Sequence, residues 1–544
     1  MRLRSVPALL AGMSLSFSLS VAAHAATSDQ WTLPVNVKKL DNGLTVVVSE
    51  DHSTPTVGVS VVYHVGMRLE PRNRTGFAHL FEHLMFQGTP NAPKGVFDRA
   101  ITGGGGRNNG STRPDFTNYI ETAPVSSLEP ILWLEADRMK TLDFNPATLK
   151  NQQDVVKEEI RVNVKNQPYG GFFWLDISQL AFQKWENNHD GYGSFEDLEG
   201  ASLDDVRGFH RDYYGPNNAV LAIAGDVTPA QGFALAQKYF GAIPARPTPK
   251  GSDFAEGLNT QEKRIEQSDA LAQVPAVAVG WKVPPQGSRD QAPMAVLSEL
   301  LAGGDASLFY LNLVKGREIA LNVQGGFGLT GPFEYGGPTL FTVFGLYKPT
   351  SSADAMLAAM DEQIANVVKN GVDAASLKRV KTRMLADWNN DLENILNRAD
   401  TLAKLQTLWG DANVVNKVPG WIEGVTSADI QRVAATYLTK ANRTVIDRKP
   451  AVKAPMPRKA ACPSDTSRAF PVSRFSATAP MMAIRQPLAR CSQNTGRIAG
   501  KASSASAPIT TVDACIRPRR SAKVRSMRVL SDDGTRAIRT VIRV

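Results

Sequence analysis

Cysteine is absent from the first 461 residues of this 544-residue chain; Cys462, Cys491 and Cys515 all lie in its last part. The body therefore needs no disulfide in an oxidising compartment and has no thiolate to act as zinc ligand or nucleophile. Histidine is scarce and one-sided. All seven lie at or before His210, so only the first part of the chain can build an imidazole-based metal site. Beyond the N-terminus no apolar run is long enough for a transmembrane helix. The body also lacks a positive excess. Residues 451 to 544 hold 18 Lys+Arg, four Asp and no Glu, a net of +14, which out of the chain's +9 leaves −5 for residues 1 to 450. No basic-aromatic pattern interrupts that mildly acidic body, so no nucleic-acid partner is expected.

What is present fits a globular, exported protein. Apolar residues make up 42% of the chain, enough to bury several cores. Arg2 and Arg4, an apolar run from Val6 to Val21, and Ala23-His24-Ala25 read as a signal peptide over residues 1–25. The run is broken by serines and too short to span comfortably as an anchor, and a periplasmic or secreted location follows. "GLTVVVSED" and "TVGVSVVYHVG" read as strands, as does "AVLAIAGD" at 219 to 226. Helices are predicted at Gly76 to Phe86, Ser127 to Leu142, Pro146 to Asn163 and Leu203 to Tyr214. Residues 242–261, rich in Pro, Gly and Ala at their start, read as a linker between an αβ unit at 33–241 and a second at 262–450.

The two units read as copies. "LDDVRGFHRDYYGPNNAVLAI" and "SADIQRVAATYLTKANRTVID" align without a gap at an offset of 224, matching Asp205 with Asp429, Tyr213 with Tyr437 and Asn218 with Asn442. The predicted fold class is α+β: two duplicated domains, each a sheet covered by helices, with a metal site in the first alone. A basic tail of low order, residues 451–544, follows.

The first unit contains "GFAHLFEHLMFQGT". On a helix, His79 and His83 stand one turn apart on one face, so two imidazoles can reach one cation, and Glu82 can contact water beside it. Zinc held by two imidazoles wants a third protein ligand and an open position. In "NQQDVVKEEIRVN" the apolar Leu149, Val155, Val156 and Ile160 define an inward face at about 100° per residue. Glu159 falls within it together with Gln152, and Glu158 falls toward its edge. A carboxylate on an apolar face is costly without a partner, and a metal would be one.

With "LDNGLTVVVSEDHSTP", "VGMRLEP", "DVVKEEI" and "NNGSTRPDFTNYIET", these residues resemble the pitrilysin/insulinase-type zinc peptidases, the inverted zincins with H-x-x-E-H, over roughly residues 33 to 450. The resemblance implies one zinc per chain held by His79, His83 and Glu159, with Glu82 as general base. Gln152 stands where several relatives have a glutamate behind the ligands; it can orient a histidine but adds no charge. Asn109 and Thr112 match the edge strand along which relatives dock a peptide substrate, an ordinary surface hairpin being the alternative. Pro114, in the same strand-like stretch, also reads as the mark of an edge.

Family enzymes close their chamber with an opposing half that contributes an Arg and a Tyr seven positions apart. Here those positions hold Val314 and Leu321. The resemblance is therefore to the amino-terminal half of a two-half bacterial enzyme, and a second peptidase-like half or subunit is implied. The expected activity is zinc-dependent endopeptidase action on exported peptides or unfolded segments. The alternative is a non-catalytic peptide-binding or assembly subunit of the same fold. The tail, without Glu or Trp, reads either as the product of a shifted reading frame or as a basic arm for anionic surfaces.

Overall fold

The β-branched runs form two sheets. In this computed structural model, which describes residues 32–249, 253–328 and 330–451, the first sheet comprises β1 (Asn36–Lys39), β2 (Thr45–Glu50), β3 (Thr56–Tyr63), β4 (Arg107–Thr112), β5 (Thr117–Pro124) and β6 (Ala219–Gly225). The second comprises β7 (Lys263–Asp269), β8 (Ala276–Lys282), β9 (Ala320–Phe327), β10 (Leu340–Tyr347) and β11 (Arg443–Pro450). Their strand orders are β1-β2-β6-β3-β5-β4 and β7-β11-β8-β10-β9. Apart from the extra β1, one order maps onto the other, with β2 parallel to β6 as β7 is to β11. The edge strand β4 thus corresponds to the edge strand β9.

The identities at offset 224 have structural reasons. Ser202 and Asp205 form a capping box at the start of the helix Leu203–Tyr213, and Thr426 and Asp429 form another at the helix Ser427–Tyr437. Asn218 donates to the Tyr213 carbonyl at 2.9 Å, and Asn442 to that of Tyr437 at 2.8 Å. Each asparagine fastens the end of a helix to the strand that follows.

Each sheet buries both faces, which is why β3 and β8 read as nearly unbroken apolar runs. One face of the first sheet packs Val46, Val57, Val59 and Val61 against α1 (Phe77–Leu84), α3 (Leu128–Lys140) and α4 (Pro146–Ile160), with α2 (Val96–Gly103) at the β4 side. The opposite face, with Val47, Val62, Val220 and Ala222, receives Ala399, Leu402 and Ala403 of the second unit's helix Ile395–Trp409. Glycine is required where that helix lands: a Cβ on Gly58 would lie 2.5 Å from the Ile395 carbonyl oxygen. The covering is reciprocal. Phe172, Ile177 and Ala181 of the first unit pack on Ala276, Ala278 and Ile446 of the second sheet. Polar groups fix the register of the first contact. Asp400 accepts from Ser60 Oγ at 2.9 Å and from Asn118 Nδ2 at 2.7 Å, while Lys404 joins it to Glu334.

Three sequence expectations meet a different outcome. Val155 does not belong to the inward face of α4: it is 42% exposed, whereas Leu149, Val156 and Ile160 are buried. Val155 stands outside the buried side of the helix. Pro114 is not in a strand but in the turn joining β4 to β5, where its carbonyl accepts from the Arg68 amide. β4 is nonetheless an edge. The predicted linker has no helix or strand between Ala245 and Glu262 among its described residues, yet it is tied down. Glu256 accepts from the amides of Gln183 and Lys184 and pairs with Lys282. The signal-peptide and basic-tail expectations lie outside the described residues. No helix among those described is long and apolar enough to cross a membrane.

Candidate metal centre

An eight-residue helix is marginal by propensity alone, so tertiary contacts must hold α1. Phe77, Ala78, Leu80, Phe81 and Leu84 bury one side of it. Its first turn has no side-chain cap of its own. Glu70, fully enclosed, accepts instead from the amides of Gly76 at 2.9 Å and Ala78 at 2.8 Å. The positive end of the helix stabilises that carboxylate, and His189 Nε2, 3.0 Å away, satisfies it further. Burial nevertheless holds the Glu70 carboxyl above its ordinary range. Gly76 at φ 77° lies so close to the 192–193 backbone that a Cβ would sit 2.4 Å from the Tyr192 carbonyl oxygen. Two glycines, Gly76 and Gly193, thus clamp the loop 189–194 to the start of the helix.

The opposite side of α1 presents His79, Glu82 and His83. The Asn145 side chain caps α4 by accepting from the Thr148 amide, with Pro146 in its first turn, and the helix carries Glu159 to both rings. Glu159 Oε1 lies 3.7 Å from His79 Nε2, and Oε2 lies 3.1 Å from His83 Nε2. A tetrahedral zinc with bonds of 2.0–2.1 Å separates its ligand atoms by roughly 3.3 Å, so the two distances bracket what such an ion needs. Among the described residues this is the one group of three or more potential ligands gathered closely enough, with all ligand atoms within 4.8 Å. His79 Nδ1, moreover, is buried without a hydrogen-bond partner. The residues present fit the ion.

The electrostatics favour neutral imidazole at one position and charge at the other. Burial, reinforced by His83, pushes the His79 ring below its ordinary pKa. Burial acts on His83 the same way, but a hydrogen bond to Glu159 and the charges of Glu82 and Glu159 outweigh it and raise the ring. Gln152 adds a hydrogen bond to His83. For Glu159 burial opposes the carboxylate, and the two histidines overcome it.

Glu82 stands beside the cluster on β4's side. Thr112 Oγ1 donates to Glu82 Oε2 at 2.6 Å, and Gly110 leaves room, since a Cβ there would lie 3.1 Å from Glu82 Cγ. Thr112 is thus buried and bound to the glutamate, whereas Asn109 is exposed on the edge strand. The structure brings His79, His83, Glu159, Glu82, Gln152 and Thr112 together and leaves Asn109 at the rim. Val314 and Leu321 lie in the second unit, Leu321 48% exposed.

Sequence reasoning missed Tyr192, whose ring centroid is 4.8 Å from that of His79. It also missed the Glu70–His189 pair under the helix. The signal at Tyr192 was slight: an aromatic between two glycines in "HDGYGS", outside any apolar period.

Two imidazoles and a carboxylate converge beside a threonine-bound glutamate, on a helix packed against an open sheet edge, a grouping that could hold one metal ion. The chain belongs to the insulinase-type peptidase family M16: residues 45–170 match "Insulinase (Peptidase family M16)" and residues 200–384 match "Peptidase M16 inactive domain". It is 28% identical to the zinc protease PqqE of Helicobacter pylori, over 80% of this chain and 98% of that one. It is 22% identical to the uncharacterized zinc protease YmxG of Bacillus subtilis, over 73% and 94%. The crystal structure of a protease from Helicobacter pylori superposes with a TM-score of 0.72 and 26% identity, covering 77% of this chain and all (100%) of that one. The first half of the periplasmic protease PqqL from Escherichia coli shares the fold at a TM-score of 0.62 and 16% identity, over 77% and 93%. Whole PqqL is covered over 53% of its length.

Proposed function

We propose that the chain is a zinc endopeptidase that hydrolyses exported peptides or unfolded segments, with residues 33–241 as the metal-binding unit and 262–450 as a metal-free companion. The observation that carries this reading is the placement of Glu82 within a cluster of three ligands that fits zinc. His79, His83 and Glu159 hold the ion, one per chain. Zinc bound there supplies a Lewis acid that makes water a nucleophile near neutral pH and polarises a carbonyl. Glu82 accepts the proton that water loses as its oxygen bonds to the peptide carbon. It returns that proton to the leaving amine as the C–N bond breaks. Thr112 orients the Glu82 carboxylate, Gln152 steadies His83, and Asn109 on edge strand β4 meets an extended substrate whose backbone adds to the sheet.

A second half or subunit completes the enzyme. The positions where relatives carry an Arg and a Tyr hold Val314 and Leu321 here, and the fold matches the first half of a two-half periplasmic protease. A periplasmic location follows from reading residues 1–25 as a signal peptide. A non-catalytic assembly subunit remains the competing reading, favoured by the match of residues 200–384 to an inactive domain. Glu82→Gln decides between them, because it keeps shape and removes the proton acceptor. The variant should retain its zinc and lose about 10²- to 10⁴-fold in peptide cleavage, and undiminished cleavage would remove Glu82 from the mechanism.

A further inference from the structure

Tyr192 is not one of the metal-binding side chains, yet the fold holds it beside them through several independent contacts. Asp190 Oδ1 accepts from the Tyr192 amide at 2.9 Å and from the Gly193 amide at 3.4 Å, closing a tight turn. Gly193, at φ 96°, lies against the backbone of Thr75 and Gly76, where a Cβ would come within 2.5 Å of the Thr75 carbonyl oxygen. Ser194 donates its amide to Thr75 Oγ1 at 3.0 Å, and His189 is anchored on Glu70. The same contacts that start α1 therefore fix the position of Tyr192 relative to His79.

The ring is wedged between His79, at 4.8 Å, and Trp174, at 5.3 Å, and it borders a cavity of about 330 Å³ lined also by Ile160, Val164, Leu175 and Phe195. It feels the charges of both Glu159 and Glu82, and Arg113 acts on it and on His79 together. Among the described residues the one hydrogen bond Tyr192 donates is from its amide, and its hydroxyl is given to no acceptor. A rigidly held phenol beside a reaction centre, with an uncommitted O–H, has the properties of a preorganised donor.

We propose that Tyr192 donates its hydroxyl hydrogen bond to the substrate's carbonyl oxygen as that oxygen gains negative charge during water attack. Resting on the peptidase reading, it makes the first unit the source of one oxyanion donor in a chain whose second unit has Val314 and Leu321 where relatives have Arg and Tyr. No covalent bond to the phenol forms or breaks.

Tyr192→Phe, made in the full chain, removes the hydroxyl and keeps the ring against His79. Three quantities separate donor from spacer: zinc per chain by elemental analysis, kcat and KM on a fluorogenic peptide, and calorimetric affinity for a phosphinic peptide that mimics the tetrahedral oxygens. The variant should keep its zinc and its KM, lose about 10²-fold in kcat, and bind the phosphinic peptide weaker by a similar factor. Unchanged kcat and phosphinic affinity would overturn the inference and leave Tyr192 as a packing residue for His79. Loss of zinc in Tyr192→Phe would overturn it too, by placing the effect on the metal. A wild-type chain that holds zinc but neither cleaves the peptide nor binds the phosphinic mimic, alone or with a second peptidase-like half added, would instead overturn the peptidase reading, and this inference with it.

Discussion

The helix that follows β3 and the helix that follows β8 occupy the same place in one topology, and only the first carries imidazoles. In α1 that place carries His79, Glu82 and His83; in the helix Gln291–Ala302 it is filled by buried Met294, Leu297, Ser298 and Leu301. The second unit keeps one capping box, the asparagine fastener and the strand order, but not one imidazole. The lesson is physical. A sheet covered by helices requires apolar faces and helix ends that satisfy their backbone groups, and these requirements are met twice. A metal centre requires specific donors that are costly to bury, and they are assembled once.

The comparison can be broken most directly at the metal. His79→Ala and His83→Ala should each abolish stoichiometric zinc, and Glu159→Gln should weaken it by at least about tenfold, measured by competition with a chelator. Glu158→Gln should change nothing, because that side chain is exposed and pairs with Arg161. Stoichiometric zinc in a His79→Ala/His83→Ala double variant would place the ion elsewhere and end the asymmetry.

The reciprocal packing of the two units offers a second contrast. Gly58→Ala should lower stability by up to about 3 kcal/mol, because its Cβ meets backbone where Ile395 lands. Gly280→Ala should cost less than about 1 kcal/mol, since its Cβ would meet Ile177 Cγ1, part of a side chain, at 3.1 Å. Urea unfolding of the two variants measures the difference, and equal losses would refute it.

Acid should weaken the histidine-bearing unit through His210. Burial, aided by the Arg246 charge, pushes that ring down to about 3. The folded chain cannot bind the proton that the unfolded chain takes up near pH 6.5, so stability is intact above that pH and declines as pH falls toward 3. At 1.36 kcal/mol per pH unit the loss between pH 6.5 and 5 is about 2 kcal/mol. His210→Gln should flatten that slope in pH-dependent unfolding, whatever it does to stability at pH 7. An unaltered slope would mean that His210 titrates normally in the folded chain.

The smallest effect concerns Gln152. Gln152→Glu adds a negative charge behind His83, where it should raise zinc affinity by no more than about tenfold. A weaker affinity would show that the neutral amide is the better partner at this position.

That Glu159 rather than Glu158 points toward the histidines was legible from a helical wheel, because α4 is regular through Ile160. The same wheel misplaced Val155, since periodicity records which residues share a face and not which of them the fold covers. The offset of 224 was legible because capping boxes and strand-entry asparagines use particular residue types. Thr112 was legible only as a neighbour of substrate; its bond to Glu82 depends on β4 lying across α1, a pairing that no local pattern encodes.

By itself, then, the amino-acid order determined the two sheets, the confinement of imidazole to the first unit and the one-turn spacing of His79 and His83 beside Glu82, because each follows from residue type at short spacing. Tertiary structure alone decided that Glu159 meets both rings, that Glu70 and His189 start the metal-bearing helix, and that Tyr192 stands against His79. These contacts join positions dozens of residues apart or more, and they exist only where the chain closes on itself: in the backbone contact of Gly76 with Gly193, the docking of Ile395 on Gly58, and the packing of α1 beneath an edge strand.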